Sequence, residues 1–303
     1  KGDGAGDAVA ADEEGEEVYL GTSKLFGNQW DGSVTFLAKD KSRRTCQLPC
    51  GVSDVAFVGS KSHIGVACDD GNVLVLESSS MGVEGWRPLH ILAEHDDMVT
   101  SVGPCLSTSG KLASASADGS VKTWSLAVSG ESGSLSTFSG HNAAVWDVEF
   151  HPDDEHVLAS VGQDGTLRLW DDRTSGGGAS VMTSENQNHP LFCLSWLKNA
   201  SMQIAVGSEE GKVIIYDARD LQKACSTFKA HDDSVRRIVP AGAGIVSAGD
   251  DCAVKYTRAD SADLKPSLVY KHKDYVRGLC TISAGKQVLS YSWDHTLICS
   301  SLS

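Results

Sequence analysis

The chain alternates between short runs of β-branched and aliphatic residues and turns built on an acidic residue. Residues 158–161 (Leu-Ala-Ser-Val) and 166–170 (Thr-Leu-Arg-Leu-Trp) flank the sequence Gln163, Asp164, Gly165. Two such runs around an Asp-Gly turn predict a β-hairpin. Helical periodicity is nowhere sustained, so the pattern predicts an all-β protein of short antiparallel strands.

The same hairpin pattern recurs seven times along the chain. The acidic turn positions are Asp31, Asp70, Asp118, Asp164, Glu210, Asp251 and Asp294, at intervals of 39, 48, 46, 46, 41 and 43 residues. An aliphatic residue stands six positions before six of them, at Ile64, Leu112, Leu158, Ile204, Ile245 and Val288. A register this regular predicts a structural repeat in which every unit is one small sheet.

Five of the units also carry a histidine 20 to 23 residues before the acidic position: His95, His141, His189, His231 and His272. The fullest copy runs from Gly140-His141 to Trp170-Asp171, while Trp124 and Tyr216-Asp217 end two other units. This pattern resembles the Gly-His to Trp-Asp signature of the WD-repeat family over nearly the whole chain. The resemblance implies a seven-bladed WD-repeat β-propeller with four strands in each blade.

Two units repeat a trio of histidine, serine and aspartate that has the side-chain types of a hydrolase triad. Because the trio occurs in several copies, it fits a structural role better than one active site. In WD-repeat proteins these groups join a tryptophan in a hydrogen-bonded network inside the blade. The matching residues here are His95, Ser114, Asp118 and Trp124, and then His141, Ser160, Asp164 and Trp170. No other catalytic motif occurs, so we expect a protein that is not an enzyme, with no catalytic residue, cofactor or metal of its own.

Charge and composition narrow the choice of partner. The chain has 26 Lys and Arg against 40 Asp and Glu, a net charge of −14. That balance disfavours direct nucleic-acid binding and favours basic proteins. There is no apolar run of about 20 residues and no basic, apolar leader at the acidic start, so we expect an intracellular protein without a membrane span. Nine cysteines without a Cys-x-x-Cys pair give weak signals for zinc or disulfides.

The pattern divides the chain into an acidic N-terminal segment, residues 1–17, and a propeller over residues 18–303. Only nine residues follow Asp294, so the seventh blade lacks a fourth strand of its own. The N-terminal segment is a candidate edge strand, yet the first unit also needs an inner strand from about Asp7 to Asp12. We therefore expect either that the natural chain extends beyond one or both ends or that the last blade is incomplete.

Several acidic residues stand beside the histidines and the acidic turns, which share one face in WD-repeat propellers. They are Glu94, Asp96, Asp97, Asp69, Glu209, Asp232, Asp233 and Asp250. One hypothesis is that this face binds a basic, arginine-rich ligand through its field and through charge-assisted hydrogen bonds. The alternative is that aspartate simply suits turns and keeps loops solvated.

The first unit departs from the others. Ten residues lie between the strand-like 18–20 (Val-Tyr-Leu) and Asp31, and they include Leu25, Phe26 and Trp30. We expect an apolar, aromatic loop here, which a partner would cover because tryptophan is enriched in interface hot spots. A second register places Leu25 itself on the strand, since it too stands six residues before Asp31.

The same segment carries a closer resemblance. Residues 20–40 resemble the first blade of methylosome WD-repeat subunits, the partners of the arginine methyltransferase that makes symmetric dimethylarginine. Further similar segments follow in order at 51–59, 95–99, 272–277 and 293–295, collinear over about 275 residues. The sequence departs from the full repeat pattern at Leu37, Leu76, Thr257 and Ser300, which replace the third-strand tryptophan.

This resemblance implies an adaptor in the cytoplasm and nucleus, docked on a protein arginine methyltransferase through Leu25, Phe26 and Trp30. Trp30 stands where the family inserts an aromatic residue into the enzyme. The complex would present basic substrates such as histone tails and spliceosomal Sm proteins, and S-adenosylmethionine would belong to the enzyme. Two alternatives stay open. One is a general WD-repeat scaffold, such as a ribosome-assembly factor or a ubiquitin-ligase substrate receptor. The other is an enzyme hosted on a propeller.

Overall fold

The computed structural model describes residues 5–26, 29–40, 42–58, 63–77, 87–126, 133–174, 180–197, 202–258 and 263–302. Its regular elements within these ranges are 27 β-strands in seven antiparallel sheets. The sheets follow one another along the chain, and strands that are consecutive in sequence are neighbours in each sheet. The predicted all-β, seven-bladed propeller is confirmed.

The first four blades contain strands β1 to β16. Blade 1 is β1 (Ala5–Ala11), β2 (Glu17–Phe26), β3 (Gln29–Ala38) and β4 (Arg43–Leu48). Blade 2 is β5 (Val52–Phe57), β6 (His63–Cys68), β7 (Val73–Glu77) and β8 (His90–Leu92). Blade 3 is β9 (Val99–Pro104), β10 (Lys111–Ser116), β11 (Ser120–Ser125) and β12 (Ser134–Ser139). Blade 4 is β13 (Val145–Phe150), β14 (Val157–Gly162), β15 (Leu167–Asp171) and β16 (Met182–Thr183).

The remaining three blades contain strands β17 to β27. Blade 5 is β17 (Leu191–Trp196), β18 (Gln203–Ser208), β19 (Lys212–Asp217) and β20 (Asp220–Lys229). Blade 6 is β21 (Val235–Ala241), β22 (Gly244–Gly249), β23 (Ala253–Arg258) and β24 (Ser267–Lys271). Blade 7 is β25 (Val276–Ile282), β26 (Gln287–Ser292) and β27 (Leu297–Ser301).

The register predicted from the repeat is the register of the sheets. Leu112 pairs with Trp124 and Leu158 with Trp170 across the two middle strands of their blades. In the blades without this tryptophan, its position is occupied by the expected substitutes, and Thr257 pairs with Ile245. The six aliphatic residues that precede the acidic turns are at most 1% exposed. The predicted spacing therefore places one aliphatic anchor at the same buried point of six blades.

The core consists of hydrophobic clusters between neighbouring blades. Between blades 3 and 4, Val121 and Phe138 lie in one buried cluster with Leu158 and Trp170. Between blades 7 and 1, Val9 and its neighbours from β1 and β2 pack with residues of β25 and β26. Burial of apolar faces between sheets is what stabilises such a radial arrangement.

The ring is closed by the packing of blade 1 on blade 7. Strand β1 from the acidic N-terminal segment is the inner edge strand of blade 1 and pairs with β2. The backbone N–H of Ser283 donates to the carbonyl oxygen of Glu13 at 2.6 Å, and Trp293 Nε1 donates to Asp7 Oδ1 at 3.1 Å. The sheet of blade 7 has three strands among the described residues.

The prediction of an apolar loop in the first unit is wrong, because the backbone of this segment forms paired strands. Strands β2 and β3 stay paired as far as Phe26 opposite Gln29, with Leu25 opposite Trp30. Leu25 therefore lies on a strand, but the anchor position belongs to Val18, which pairs with Leu37 as Ile64 pairs with Leu76 in blade 2. Aliphatic and aromatic residues suit paired strands, and strand pairing satisfies backbone groups that a loop would leave to water. The side chains of residues 25–30 lie outside the described part of the structure.

In the described residues no helix has the length and apolar character needed to cross a membrane.

Candidate functional site

Two blades contain a complete hydrogen-bonded network around a buried histidine. In blade 3, His95 Nδ1 lies 2.9 Å from Asp118 Oδ2, and His95 Nε2 lies 2.7 Å from Ser114 Oγ. Trp124 Nε1 donates to the same serine oxygen at 2.8 Å. Because a carboxylate only accepts, Nδ1 carries the imidazole proton and the serine hydroxyl donates to Nε2. The network thus connects the histidine loop, the acidic turn and the two middle strands of the blade.

Blade 4 repeats the arrangement with almost the same distances. His141 Nδ1 lies 3.0 Å from Asp164 Oδ1, and His141 Nε2 lies 2.8 Å from Ser160 Oγ. Trp170 Nε1 donates to Ser160 Oγ at 2.8 Å. Ser114 and Ser160 are both 0% exposed, so neither hydroxyl can reach a substrate. These trios stabilise blades and do not form an accessible nucleophilic site.

Electrostatics keeps the histidine neutral and the aspartate ionised. Burial lowers the pKa of His95, although Asp118 opposes this effect. Burial opposes ionisation of Asp118 as well, but hydrogen bonds from Ser120 and His95 lower the pKa of Asp118 to about 2. A neutral imidazole has one donor and one acceptor, which the network satisfies completely.

The histidines of the other blades show what the network needs. In blade 6, His231 Nδ1 lies 2.8 Å from Asp251 Oδ1, and Nε2 lies 2.8 Å from Ser247 Oγ. In blade 7, Ser290 Oγ lies 2.8 Å from His272 Nε2. His189 of the fifth unit departs from the expected pattern.

The side chain of His189 is 44% exposed and lies 3.5 Å from Glu209 and 3.7 Å from Glu210. Val206 occupies the position four residues before the acidic turn, where the network blades have serine. Without a hydroxyl to pair with Nε2, burial of this histidine would leave a polar atom unsatisfied.

The acidic turns and the histidine loops meet on one face of the propeller. Gly71, at φ +85°, follows the turn of blade 2, and a side chain there would meet the carbonyl oxygens of His95 and Asp97. The corresponding Gly211 of blade 5 lies against the carbonyl oxygens of His231 and Asp233. Exposed acidic side chains therefore gather around the same loops. They are Glu94, Asp96, Asp97, Glu209, Asp232 and Asp233.

Three of the predicted acidic residues form ion pairs or hydrogen bonds inside the molecule. Asp250 lies 2.8 Å from Arg236 Nε and 3.1 Å from a terminal nitrogen of Arg277. Asp69 is half-buried and accepts from the backbone N–H of Gly51 at 2.8 Å, and burial raises its pKa. Glu94 accepts from the backbone N–H of Ser134 at 3.1 Å.

Glu209 lies beside His189, and the remaining exposed charge among the predicted acids lies in four loop aspartates, which we call the rim aspartates. They are Asp96, Asp97, Asp232 and Asp233. Asp250, which the sequence places with them, contributes least because two arginines pair with it.

The hairpin of β2 and β3 is twice as long as the middle hairpin of each other blade. Its pairing covers ten residue pairs, whereas β10–β11 and the five equivalent hairpins have five pairs each. Five of these pairs are shared with the other blades, and in blade 1 the last shared pair is Gly21 opposite Val34. Residues 22–26 extend the hairpin beyond that point by roughly 17 Å, at about 3.3 Å per residue. Ser23 Oγ supports the base of this extension by accepting from the backbone N–H of Val52 at 2.9 Å.

Sequence reasoning missed a second feature, an axial ring of bulged residues. In every blade the innermost strand has a register shift, and one residue lies inside each shift. A bulge re-aims the side chain of the extra residue. All seven of these residues line one cavity of about 590 Å³ at the centre of the propeller. The axial ring comprises Asp7, Ser53, Thr100, Trp146, Phe192, Arg236 and Arg277.

The sequence does contain a signal for this ring. In each blade with a network histidine, the bulged residue is the fifth residue after that histidine, as Trp146 follows His141 and Arg236 follows His231. The signal is visible only once the histidine loop is known to lead directly into the innermost strand.

One group of metal-ligand side chains was also not expected. Cys50, Cys68 and Asp70 place one ligand atom each within 4.8 Å of one another. A hydrogen bond with Cys50 and burial raise the pKa of Cys68, and a thiol must be deprotonated to bind metal. With three donors and a protonated thiol, the group fits a buried thiol pair better than a metal site.

Comparison with known proteins agrees with this geometry. Residues 86–125 and 132–171, which contain the two complete networks, match the family model "WD domain, G-beta repeat". A comparison with curated protein sequences finds no significant match. A chain of a solved structure described as "Crystal Structure of Mitotic Checkpoint Complex" superposes with a TM-score of 0.81 at 18% identity. The alignment covers 98% of this chain and 86% of that one.

At that identity the structural likeness shows the fold alone. The protein is a seven-bladed β-propeller in which two blades match WD40 repeats, and WD40 propellers are in general non-catalytic scaffolds that bind other proteins.

Proposed function

We propose that this propeller is the scaffold subunit of a complex with a protein arginine methyltransferase and helps to present basic protein substrates to that enzyme. One observation carries the proposal. The extended β2–β3 hairpin bears Leu25, Phe26 and Trp30 at its end, in the segment that resembles the first blade of methylosome WD-repeat subunits. A scaffold that binds only through its loops has no need of such an extension.

The exposure of the hairpin residues supports a docking role. Gly21 is buried in the blade, Thr22 and Ser23 are half-buried, and Lys24 and Asp31 are exposed on opposite strands of the hairpin. Exposure thus increases toward the end of the hairpin. A two-stranded ribbon is marginally stable by itself in water, so a partner that packs against this end would stabilise it.

The rim aspartates supply the second half of the proposal. They lie beside histidine loops on the face toward which the β2–β3 hairpin also turns, because the middle hairpin of every blade has its connection on that face. An acidic rim on the same face as the docking element favours arginine-rich segments by long-range attraction and charge-assisted hydrogen bonds.

The test is affinity capture from cells. The tagged wild-type propeller and the tagged Trp30→Ala variant are each purified from cells, and the proteins that copurify are identified by mass spectrometry and quantified relative to the propeller. We expect an arginine methyltransferase at equal stoichiometry with wild type and its loss with Trp30→Ala. Recovery of a cullin adaptor or a preribosome in its place, unaffected by Trp30→Ala, would overturn the proposal and support the general-scaffold alternative.

A further inference from the structure

The cavity at the axial ring has two chemically different sides. Trp146 and Phe192 stand on adjacent blades with ring centroids 5.9 Å apart. Arg236 and Arg277 stand on the next two blades, and Ser53 and Thr100 supply small hydroxyl side chains across the ring. A cavity of about 590 Å³ with an apolar side and a polar side has the size and character of a ligand pocket.

The arginines are held in place by aromatic rings. The guanidinium carbon of Arg236 lies 3.8 Å from the centroid of Phe192. That of Arg277 lies 5.2 Å from the ring of Trp293 and 5.4 Å from the ring of Tyr275. Stacking fixes the plane of a guanidinium and leaves the N–H groups at its edge able to donate. Both groups are therefore preorganised to bind a planar anion.

These two arginines share one internal carboxylate. Asp250 pairs with Arg236 through Oδ2 and with Arg277 through Oδ1, and Asp7 on the neighbouring blade also attracts Arg277. The third arginine of the cavity, Arg237, is occupied, since it pairs with Asp54 at 2.9 Å. The side chains of Arg236 and Arg277 are 25% and 21% exposed and both line the cavity, so a second carboxylate can reach them.

The remaining acids of the cavity set where that carboxylate can lie. Asp7 and Asp69 also line it, on blades 1 and 2. They would repel an anion from that part of the ring, whereas the aromatic side next to Arg236 would not. The favourable position is therefore beside the arginines, with the apolar neighbour of the anion against Trp146 and Phe192.

We propose that the axial cavity binds an acidic peptide segment, with a side-chain carboxylate between Arg236 and Arg277 and an adjacent apolar residue against Trp146 and Phe192. This site is separate from the β2–β3 hairpin and has the opposite charge preference to the rim aspartates. It does not depend on the methyltransferase, and its failure would leave the proposed function standing.

The test is isothermal titration calorimetry at low salt with the purified full chain. The probes are amidated peptides with the cores Glu-Leu-Glu and Glu-Phe-Glu, the same peptides with glutamine for glutamate, and a glutamine peptide with a free carboxyl terminus. We expect the glutamate peptides to bind and the amidated glutamine peptides to bind at least tenfold more weakly. If the glutamine peptide with a free terminus is the only peptide that binds, the carboxylate comes from a chain end, and the proposal of a side-chain carboxylate is overturned.

Variants then locate the site. Arg236→Gln and Arg277→Gln should each weaken binding of the glutamate peptide at least tenfold, and Ser53→Glu should weaken it by adding an anion to the ring without removing a packed side chain. Arg219→Gln is the matched control, because Arg219 is an exposed arginine that pairs with Asp217 away from the cavity. The proposal is overturned if the glutamate peptides do not bind at about 1 mM. It is also overturned if the amidated glutamine peptides bind equally well, if Arg236→Gln, Arg277→Gln and Ser53→Glu all bind like wild type, or if an added probe with phosphoserine in place of glutamate is the only peptide that binds.

Discussion

Replacing Ser160 by alanine tests whether the blade networks stabilise the fold. Ser160 Oγ donates to His141 Nε2 and accepts from Trp170 Nε1, and all three side chains are buried. Ser160→Ala therefore leaves one acceptor and one donor without partners in a site closed to water. Each such group costs about 1–3 kcal/mol, so we expect unfolding free energy to fall by about 2–6 kcal/mol.

Blade 6 provides the matched comparison. Ser247 Oγ bonds His231 Nε2 at 2.8 Å, but the tryptophan position is Thr257, so no indole donates to this serine. Ser247→Ala should therefore cost about 1–3 kcal/mol, roughly half as much as Ser160→Ala. The removed hydroxyl has the same size and is fully buried in both cases, so the difference reports the indole hydrogen bond.

Urea unfolding followed by tryptophan fluorescence and circular dichroism measures both variants. The comparison is valid where both signals give one transition and the denaturant slope is unchanged. The single variant Trp170→Phe and the double variant Ser160→Ala with Trp170→Phe complete a double-mutant cycle. Without the indole, Ser160→Ala should lower the unfolding free energy by less than it does in the wild-type protein. Equal losses for Ser160→Ala and Ser247→Ala, or additive effects in the cycle, would refute the reasoning.

Three further predictions concern the hairpin, the rim aspartates and the cavity. Trp30→Ala should weaken methyltransferase binding by roughly 30-fold to 1000-fold, as for loss of an anchor worth about 2–4 kcal/mol, and should leave the melting temperature nearly unchanged. Leu135→Ala, at an exposed apolar residue of blade 3, is its control. Changing the four rim aspartates to asparagine should alter stability by about 0.5 kcal/mol or less for each residue while weakening capture of an arginine-rich peptide. If capture proves insensitive to these changes and to salt, the electrostatic hypothesis fails. Burial raises the pKa of Asp7 from 3.8 to about 6, so between these pH values the folded state holds a proton that the unfolded chain releases, and stability falls as pH rises. Asp7→Asn should therefore have no effect near pH 4 and stabilise by up to about 3 kcal/mol at pH 7, a gain that pH-dependent urea unfolding would measure.

Much of the fold could be predicted because each blade repeats the same structural requirement. An aliphatic residue six positions before an acidic turn marks the centre of the sheet, and the structure buries that residue in all six blades where it was found. A serine four residues before the turn decides whether a histidine is buried. That rule explains both the network at Ser247 and its absence at Val206, so the exposure of His189 was open to prediction.

The parts that could not be predicted depend on pairing across distance. The length of the β2–β3 hairpin follows from ten pairs across two strands, and no property of Lys24 or Asp31 alone distinguishes a paired strand from a loop. Cys50 and Cys68 are 18 residues apart and meet only because β6 lies beside the chain that enters β5. Asp250 looks like an exposed loop acid until β25 brings Arg277 to it.

The contrast between the networks and the axial ring shows where this propeller has room for function. In blades 3, 4, 6 and 7 the network positions hold the same histidine, serine and aspartate, because each of these residues performs one structural task inside its own sheet. The bulged positions vary in chemical type around the ring, since their side chains face a shared cavity and not a neighbouring strand. Their order around the axis is acid, two hydroxyls, two aromatic rings and two arginines. Such an asymmetric ring can orient a ligand by its apolar and anionic ends, which seven identical blades could not do.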